Sequence, residues 1–379
     1  MDHDHFEQLL TRFQSLQHLS VGGVYYKDKN TIDLMDHFQL RSLELSNTFN
    51  DRYLPFCFYP NKQLRCLFLE QVKIDQEGVK NLFLSPCLTK LTIRGHGTLL
   101  HPNGLEHITK CQSLEYLDVS DASFWSAALP YICNMTCLRV LKGGAELSDM
   151  IMYVFNQDYP IANTIQGIHF ENLMLAECIE RMAMSQRNLS FLRIDKEVMT
   201  PALKMLSNTD LFPNLTSLEL QYCGKSLTDD GAFYLLLSDK LTSLKMTSCT
   251  GVTDESVSLL RINHTLKTFT NDFNDGMRNW TISEVIQHNS TLTELSLCGD
   301  KISFNVEDLL VNQHLTHLKF CGDKSEAHQI LSQCENIQHL EAPRYKCYYA
   351  STPSAYSPSP PHSSSTVSES PSYRSSSPT

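Results

Sequence analysis

Cysteine is the residue type here with the widest chemistry, because a thiolate can ligate a metal or attack a substrate. The chain of 379 residues holds 13 cysteines spread along its length. Cys133 and Cys137 lie four residues apart, but no second Cys or His pair follows at the spacing of a zinc site. We therefore expect reduced thiols with packing roles, and neither a metal nor another cofactor.

Histidine, at 15 residues, could supply a general base or a metal ligand. The sequence contains no His-Glu-x-x-His, no Gly-x-Ser-x-Gly and no phosphate-binding Gly-x-x-x-x-Gly-Lys-Ser/Thr. The short segment 94–97, Arg-Gly-His-Gly, does not complete a dinucleotide fingerprint. These patterns favour a protein without catalytic activity; a hydrolase would require a nucleophile and a base brought together from distant segments.

Charge and hydropathy restrict the partners. Lys and Arg total 31 against 42 Asp and Glu, a net charge of -11 that would repel a phosphate backbone, so we expect no nucleic-acid partner. No apolar run approaches the roughly 18 residues of a membrane span, and the first residues lack a signal-peptide pattern. We therefore expect no membrane association and a cytoplasmic or nuclear location. Under that expectation we interpret six Asn-x-Ser/Thr sequons as chance occurrences, at Asn134, Asn188, Asn214, Asn263, Asn279 and Asn289.

The elements that would position any site follow from an internal repeat. The pattern apolar-x-x-apolar-x-apolar recurs every 22 to 27 residues over the body of the chain. Its fourteen starts are Leu16, Leu40, Leu64, Leu88, Leu114, Leu138, Ile165, Leu189, Leu215, Leu241, Leu266, Leu292, Leu315 and Ile337.

Each repeat reads as a strand followed by a helix. The fourth and sixth positions, such as Leu218 and Leu220, alternate with polar residues and face inward from a short strand. Segments 229–237 and 254–260 then show helical spacing after an acidic first turn. Such units must stack to bury their apolar faces, which predicts an α/β solenoid with parallel strands on the concave face and helices on the convex face.

Segments 215–223 and 241–254 resemble the cysteine-containing leucine-rich repeat. This class is common in F-box substrate receptors of cullin-type ubiquitin ligases and in antagonists of mitotic exit. The resemblance implies buried turn positions for Cys223 and Cys249, and helix-end positions for Cys111 and Cys334. An F-box would need about forty further residues ahead of the array, by the same resemblance, whereas 15 residues precede the first start and segment 6–13 looks like the closing helix of a half repeat. Substrate recognition for a ubiquitin ligase and a stand-alone scaffold or inhibitor both remain open.

Some repeats depart from the pattern. Gly143, Asn271 and Ala342 occupy the sixth position, where a large apolar residue is expected.

The fifth position points outward from each strand and predicts the residues of an exposed concave surface. Its mixed charges and aromatic residues favour a protein partner over an anionic polymer, and the third-position aromatics Tyr116 and Phe191 extend the same surface. We expect His169, Phe191 and Arg193 to form its centre. The predicted partner-binding residues are Phe68, Tyr116, Asp118, Lys142, His169, Phe191, Arg193 and Glu219.

The composition predicts three regions. Residues 1–342 form the array of about fourteen repeats, the first one partial, and 343–350 form a transition whose tyrosines could shield the last repeat. In 351–379, 22 of 29 residues are Ser, Thr or Pro, which predicts a disordered tail. Its candidate proline-directed phosphorylation sites are Thr352, Ser357, Ser359, Ser370 and Ser377.

Overall fold

The computed structural model divides the chain into two units, Met1–Arg344 and Tyr345–Thr379. The residues that it describes all belong to the first unit: 12–13, 15–23, 39–46, 63–74, 76–95, 99–100, 102–120, 125–144, 147, 151, 159–171, 176–185, 188–273, 278–298, 305–320, 330 and 332–341.

Fourteen parallel strands form one open sheet, each strand paired with the strands of the preceding and following repeats. Every predicted start leads into one of these strands, so the predicted repeat register is confirmed. The strands are β1 (His18–Gly22), β2 (Ser42–Ser46), β3 (Cys66–Glu70), β5 (Lys90–Arg94), β7 (Tyr116–Asp118), β8 (Val140–Gly143), β9 (Gly167–Phe170), β10 (Phe191–Asp195), β11 (Ser217–Gln221), β12 (Ser243–Thr247), β13 (Thr268–Asp272), β14 (Glu294–Cys298), β15 (His317–Phe320) and β16 (His339–Glu341). The short strands β4 (Lys73–Ile74) and β6 (Leu99–Leu100) pair with each other in a second sheet.

The return segments are more varied than the uniform helices predicted from the sequence. Segment 229–237 forms a helix that ends at Leu236, whereas segment 254–260 is helical only to Val257 and continues as a 3₁₀ turn. The α-helices are α1 (Gln76–Phe83), α2 (Trp125–Ile132), α3 (Ala176–Ser185), α4 (Thr200–Ser207), α5 (Asp229–Leu236), α6 (Asp254–Val257), α7 (Asn279–His288) and α8 (Val306–Val311). The 3₁₀ segments are Pro102–Lys110, Pro160–Asn163 and Ser258–Ile262.

The core lies between the strands and the return segments, where the fourth and sixth positions are buried as predicted. Leu218 and Leu220 are both 0% exposed. Gly143 breaks the pattern without opening the core, because a Cβ on this residue would lie 3.2 Å from the side chain of Leu147, which fills the space. Asn271 is a true polar insertion and is fully buried. Ala342 lies outside the described residues, as do residues 6–11 of the predicted half-repeat helix.

In the repeats whose eighth position is described, that residue follows the strand in the left-handed conformation. Its amide N–H donates to the seventh-position carbonyl of the next repeat, as from Tyr222 to Thr247 at 2.8 Å and from Ser248 to Asp272 at 2.9 Å. That bond holds φ at 56° in Tyr222 and 55° in Ser248, a conformation that non-glycine residues seldom adopt. The turn therefore keeps the seventh position of each repeat in line with the next.

Buried asparagines lock the C-terminal repeats together. Asn289 donates to the backbone carbonyl of Asn263 at 3.1 Å and accepts from the amides of Thr291 and Leu292 at 2.9 and 2.8 Å. Asn312 makes the same bonds one repeat later. In the sequence these asparagines share one feature, because each lies three residues before the first leucine of a repeat, in the pattern Asn-x-x-Leu. Asn263 and Asn289 of the predicted sequons are buried and have a structural role in these hydrogen bonds.

The described cysteines are all free, and the four singled out by the repeat pattern are buried. The thiol of Cys249 donates to the carbonyls of Leu220 and Thr247 at 3.6 and 3.5 Å, and that of Cys223 donates to Gln221 at 3.7 Å. These contacts confirm the packing role predicted for the ninth position. Burial also raises the pKa of Cys133 to about 11, which keeps this thiol protonated.

Candidate functional site

The fifth-position side chains lie on the strand side of the array, but several are far less accessible than predicted. Asp118 is 0% exposed, His169 7% and Lys142 9%. The expectation of freely exposed side chains is wrong at these three positions, because neighbouring strands are only about 4.8 Å apart and the side chains cover one another. Phe191, Arg193 and Glu219 remain half-buried, with Tyr116 and Phe68.

Ion pairs connect these side chains across strands. On the N-terminal side, the Asp118 carboxylate on β7 lies 2.7 Å from Arg94 on β5 and 3.6 Å from Lys142 on β8. Lys142 in turn lies 2.7 Å from Glu171, directly after β9. Burial disfavours the charge of Arg94, but its hydrogen bond and charge interaction with Asp118 outweigh this and raise its pKa.

A second run of contacts centres on Asp195 of β10. Its carboxylate lies 2.9 Å from His169 Nε2 and 2.9 Å from Arg193 Nε. Arg193 also donates to Gln221 at 2.8 Å and lies 3.6 Å from Glu219 on β11. Burial would raise the pKa of Asp195, yet the hydrogen bonds from His169 and Arg193 lower it to about 2. We call the two runs together the charged ladder: Arg94, Asp118, Lys142, His169, Glu171, Arg193, Asp195, Glu219 and Gln221.

The seventh position supplies four of the nine residues of this ladder, and the sequence analysis missed its contribution. Arg94, Glu171, Asp195 and Gln221 all occupy it, each facing fifth-position residues of its own or a neighbouring strand. A partial signal was present, since three consecutive repeats carry Glu171, Asp195 and Gln221 at the seventh position. To interpret that signal, one must know that the eighth residue is left-handed, because this conformation keeps the seventh side chain on the strand side.

An apolar strip runs beside the charged ladder at the third position. The strands place Tyr116, Val140, Gly167 and Phe191 next to one another in that order. Gly167 makes room for the last ring, because a Cβ there would lie 3.3 Å from Phe191 Cδ1. Lys90 on β5 lies over the Tyr116 ring at 4.7 Å from its centre. We call Tyr116, Val140, Gly167 and Phe191 the apolar strip.

His169, Phe191 and Arg193, predicted as the centre of the surface, lie on the neighbouring strands β9 and β10 but make different contacts. His169 and Arg193 are register partners on β9 and β10 and share Asp195. Phe191 instead belongs to the apolar strip. Phe68 lies apart on β3, where the Arg94 guanidinium is 5.9 Å from its ring centre.

A concavity of about 490 Å³ opens on the strand side of the C-terminal repeats. Small hydroxyl residues form its floor on neighbouring strands, namely Ser243, Thr268, Thr270 and Ser296, between Lys245 on one side and Lys319 on the other. We call this space the hydroxyl cavity. Its acidic lining residues are Glu219, Asp272, Glu294 and Glu341, and its histidines are His317 and His339.

The remaining predictions concern metal binding, membrane association, the transition segment and the tail. Among the described residues, no group of three or more His, Cys, Asp or Glu side chains could hold a metal ion. Within the same residues, no helix is both long and apolar enough to cross a membrane. The candidate phosphorylation sites Thr352, Ser357, Ser359, Ser370 and Ser377, and the residues 343–350, lie outside the described residues.

The fold defines the class of the protein: an α/β leucine-rich-repeat solenoid, with a ladder of paired charges on its strand side. No known family profile and no curated protein matches the sequence. Among solved structures, TLR13 in its complex with ssRNA13 superimposes with a TM-score of 0.52 at 16% identity, over 89% of this chain and 50% of TLR13. Rad7, from the Rad7 and Elc1 complex in yeast, gives 0.49 at 17% identity over 86% and 85% of the two chains. An internalin from Listeria monocytogenes gives 0.33 at 16%, over 88% and 82%. Likeness at such identity concerns the fold.

Proposed function

We propose that this chain is a non-catalytic protein-recognition module that binds its partner through the apolar strip and the charged ladder beside it. The observation that carries the proposal is their adjacency. Half-buried rings of Tyr116 and Phe191 supply apolar contact area, while the neighbouring charges are already held in place by one another. A surface with aromatic anchors and preorganised charges suits a specific protein contact.

The charges of the ladder argue against catalysis and against a nucleic acid. His169 Nε2 and both carboxylate oxygens of Asp195 are already engaged in hydrogen bonds within the ladder. TLR13 was solved with an RNA, but the cations of this ladder already face carboxylates and the chain carries a net charge of -11. Both features disfavour a polyanion.

Substrate recognition for a ubiquitin ligase is the more specific candidate. It is supported by the resemblance of segments 215–223 and 241–254 to cysteine-containing repeats, whose cysteines occupy the buried turn position. A stand-alone scaffold or inhibitor is the alternative. In either case we assign recognition to residues 1–342, a transition to 343–350, and a disordered Ser/Pro-rich tail with candidate phosphorylation sites to 351–379.

Affinity capture from cell extract with the full chain tests the proposal. Phe191→Ala and Tyr116→Ala should each reduce recovery of the specifically captured proteins by about tenfold, the usual effect of an aromatic anchor. Trp280→Ala is the matched control, since Trp280 is a 54% exposed aromatic residue on helix α7. Recovery that falls only with Trp280→Ala would reject the strand side. Ligase subunits among the captured proteins would favour the ubiquitin-ligase candidate.

A further inference from the structure

The charged ladder ends at Glu219, and the next fifth-position cation is left without a carboxylate. Lys245 on β12 is the register partner of Glu219, but Glu219 already lies 3.6 Å from Arg193. Among the described residues, the Lys245 ammonium has neither an ion-pair partner nor a hydrogen-bond acceptor. Unlike Arg94, Lys142 and Arg193, Lys245 therefore lies within ion-pair distance of no described carboxylate.

The neighbouring strand presents an unused donor beside this cation. Thr270 on β13 is the register partner of Lys245 and lines the hydroxyl cavity. Thr270 is 9% exposed, yet its hydroxyl has no hydrogen-bond partner within the described part of the chain. The hydroxyl is not among the fully buried unpaired atoms, so it is accessible from the cavity and can donate to a ligand atom there.

The third position adds two more hydroxyls to the same corner. Ser243 and Thr268 are register partners on β12 and β13, and both line the hydroxyl cavity. The corner thus combines one ammonium with three hydroxyl groups, all of which can donate to an anionic oxygen.

We propose that Lys245 and Thr270, with Ser243 and Thr268, form a subsite for a single carboxylate, carried by an Asp or Glu side chain of a partner protein. This subsite deepens the proposed recognition function and rests on it. One ammonium balances one negative charge. A phosphate dianion is less favoured than a carboxylate, because Glu219 and Asp272 line the same cavity and repel two negative charges more strongly than one.

The other charges of the cavity do not compete for the same role. Asp272 accepts a hydrogen bond from Ser296 at 2.8 Å and lies 3.8 Å from Lys319. Lys319 also lies 3.9 Å from Glu341, so it is within ion-pair distance of two carboxylates, whereas Lys245 is within that distance of none that is described. Lys319 is therefore a matched control: the same residue type in the same row of the same cavity, but already paired.

The experiment uses the full chain and three fluorescent pools of acetylated, amidated nonapeptides. The pools share randomised flanks and carry Glu, Gln or phosphoserine at the centre, and the Kd of each pool is measured by fluorescence anisotropy. Wild type should bind the Glu pool about tenfold more tightly than the Gln pool, the scale of a charge-assisted hydrogen bond. Lys245→Gln should abolish this preference and Thr270→Val should reduce it about threefold, whereas Lys319→Gln should leave it intact.

Equal affinity for the Glu and Gln pools, or no measurable binding of either pool, would overturn the subsite. A preference that survives Lys245→Gln would overturn it too, and tighter binding of the phosphoserine pool would overturn the assignment to a carboxylate. Phe191→Ala should leave the Glu preference unchanged, because Phe191 lies outside the cavity. A Lys245-dependent preference with no loss of captured partners in Phe191→Ala would retain the subsite and reject the central strip as the anchor.

Discussion

The strand side of this solenoid carries two polar surfaces that are built on the same repeat but differ in how their charges are matched. In the charged ladder each cation lies within ion-pair distance of a carboxylate on its own or a neighbouring strand. In the hydroxyl cavity, Lys245 has no such partner and Thr270 has no hydrogen bond within the described residues. The same repeat therefore pairs its charged side chains with one another in one stretch and leaves a lysine and a hydroxyl without a described partner in another.

The cause lies in two columns of the repeat. In the central repeats charged side chains occur at the fifth position, the seventh position or both, so opposite signs meet across strands, as Arg193 meets Asp195 and Glu219. In the C-terminal repeats the fifth position carries Thr270 and Ser296, which are too short to bridge to a charge two strands away. Short side chains both create the cavity and leave its flanking cation unmatched.

The largest expected effect comes from breaking the ladder at its most buried member. Asp118→Ala would leave Arg94 and Lys142 facing each other without the carboxylate between them, and the Lys142 side chain is only 11% exposed. We expect the free energy of unfolding, measured by urea titration, to fall by about 2–4 kcal/mol.

Glu294→Ala is the control for this change, because Glu294 lines the cavity and has no ion pair among the described residues. It should cost less than about 0.5 kcal/mol. Similar losses in the two variants would mean that the ladder is no more cohesive than the cavity.

Acid should weaken the ladder through Asp195. The pKa of this carboxyl is about 2 in the folded chain, below its ordinary value of 3.8. A lowered pKa stabilises the fold above the ordinary value, and that stabilisation disappears as the pH falls from about 4 to 2. We expect the loss to be at most about 2 kcal/mol, read as the difference between wild type and Asp195→Asn in urea titrations from pH 6 to 2. The difference isolates Asp195 from other carboxyls, such as Asp229, whose pKa is also lowered. Parallel curves for the two proteins would contradict the assignment.

The sequence was sufficient to predict the repeat and its strands, but not the ion pairs that form between neighbouring repeats. A 22-to-27-residue period of buried positions predicts every strand of the large sheet, because burial of Leu218, Leu244 and their equivalents is dictated by the repeat itself. The fifth column was also found, and its residues lie on the predicted side of the sheet.

Exposure and pairing could not be predicted in the same way. The alternation of inward and outward positions along a strand predicts that Asp118 and His169 are exposed. Their burial depends instead on side chains 24 and 26 residues away. The unpaired state of Lys245 depends likewise on Arg193 having taken Glu219, a competition between three strands. To predict burial and ion pairing of this kind, one needs both the strand register and the distance that each side chain spans.

A smaller effect should separate two hydroxyls in the cavity. Ser296 donates to Asp272 at 2.8 Å in a buried position. Ser296→Ala removes that bond and should lower the free energy of unfolding by about 1–2 kcal/mol, since hydrogen bonds to charged groups exceed the average. Urea titration of the single variant provides the measurement. A neutral result would show that Lys319 alone satisfies Asp272.

The smallest effect is expected at Thr270, one strand from Ser296 in the same row. Valine has nearly the shape of threonine and suits a strand, so Thr270→Val removes the hydroxyl and little else. Because that hydroxyl has no hydrogen bond within the described residues, the free energy of unfolding should stay the same or rise by up to about 1 kcal/mol. Urea titration beside Ser296→Ala provides the comparison, with both changes made under identical conditions. A loss of 1 kcal/mol or more, as estimated for an ordinary hydrogen bond, would mean that the folded chain already uses the Thr270 hydroxyl. The cavity would then be as internally satisfied as the ladder, and the distinction between the two surfaces would fail at the residue where it is sharpest.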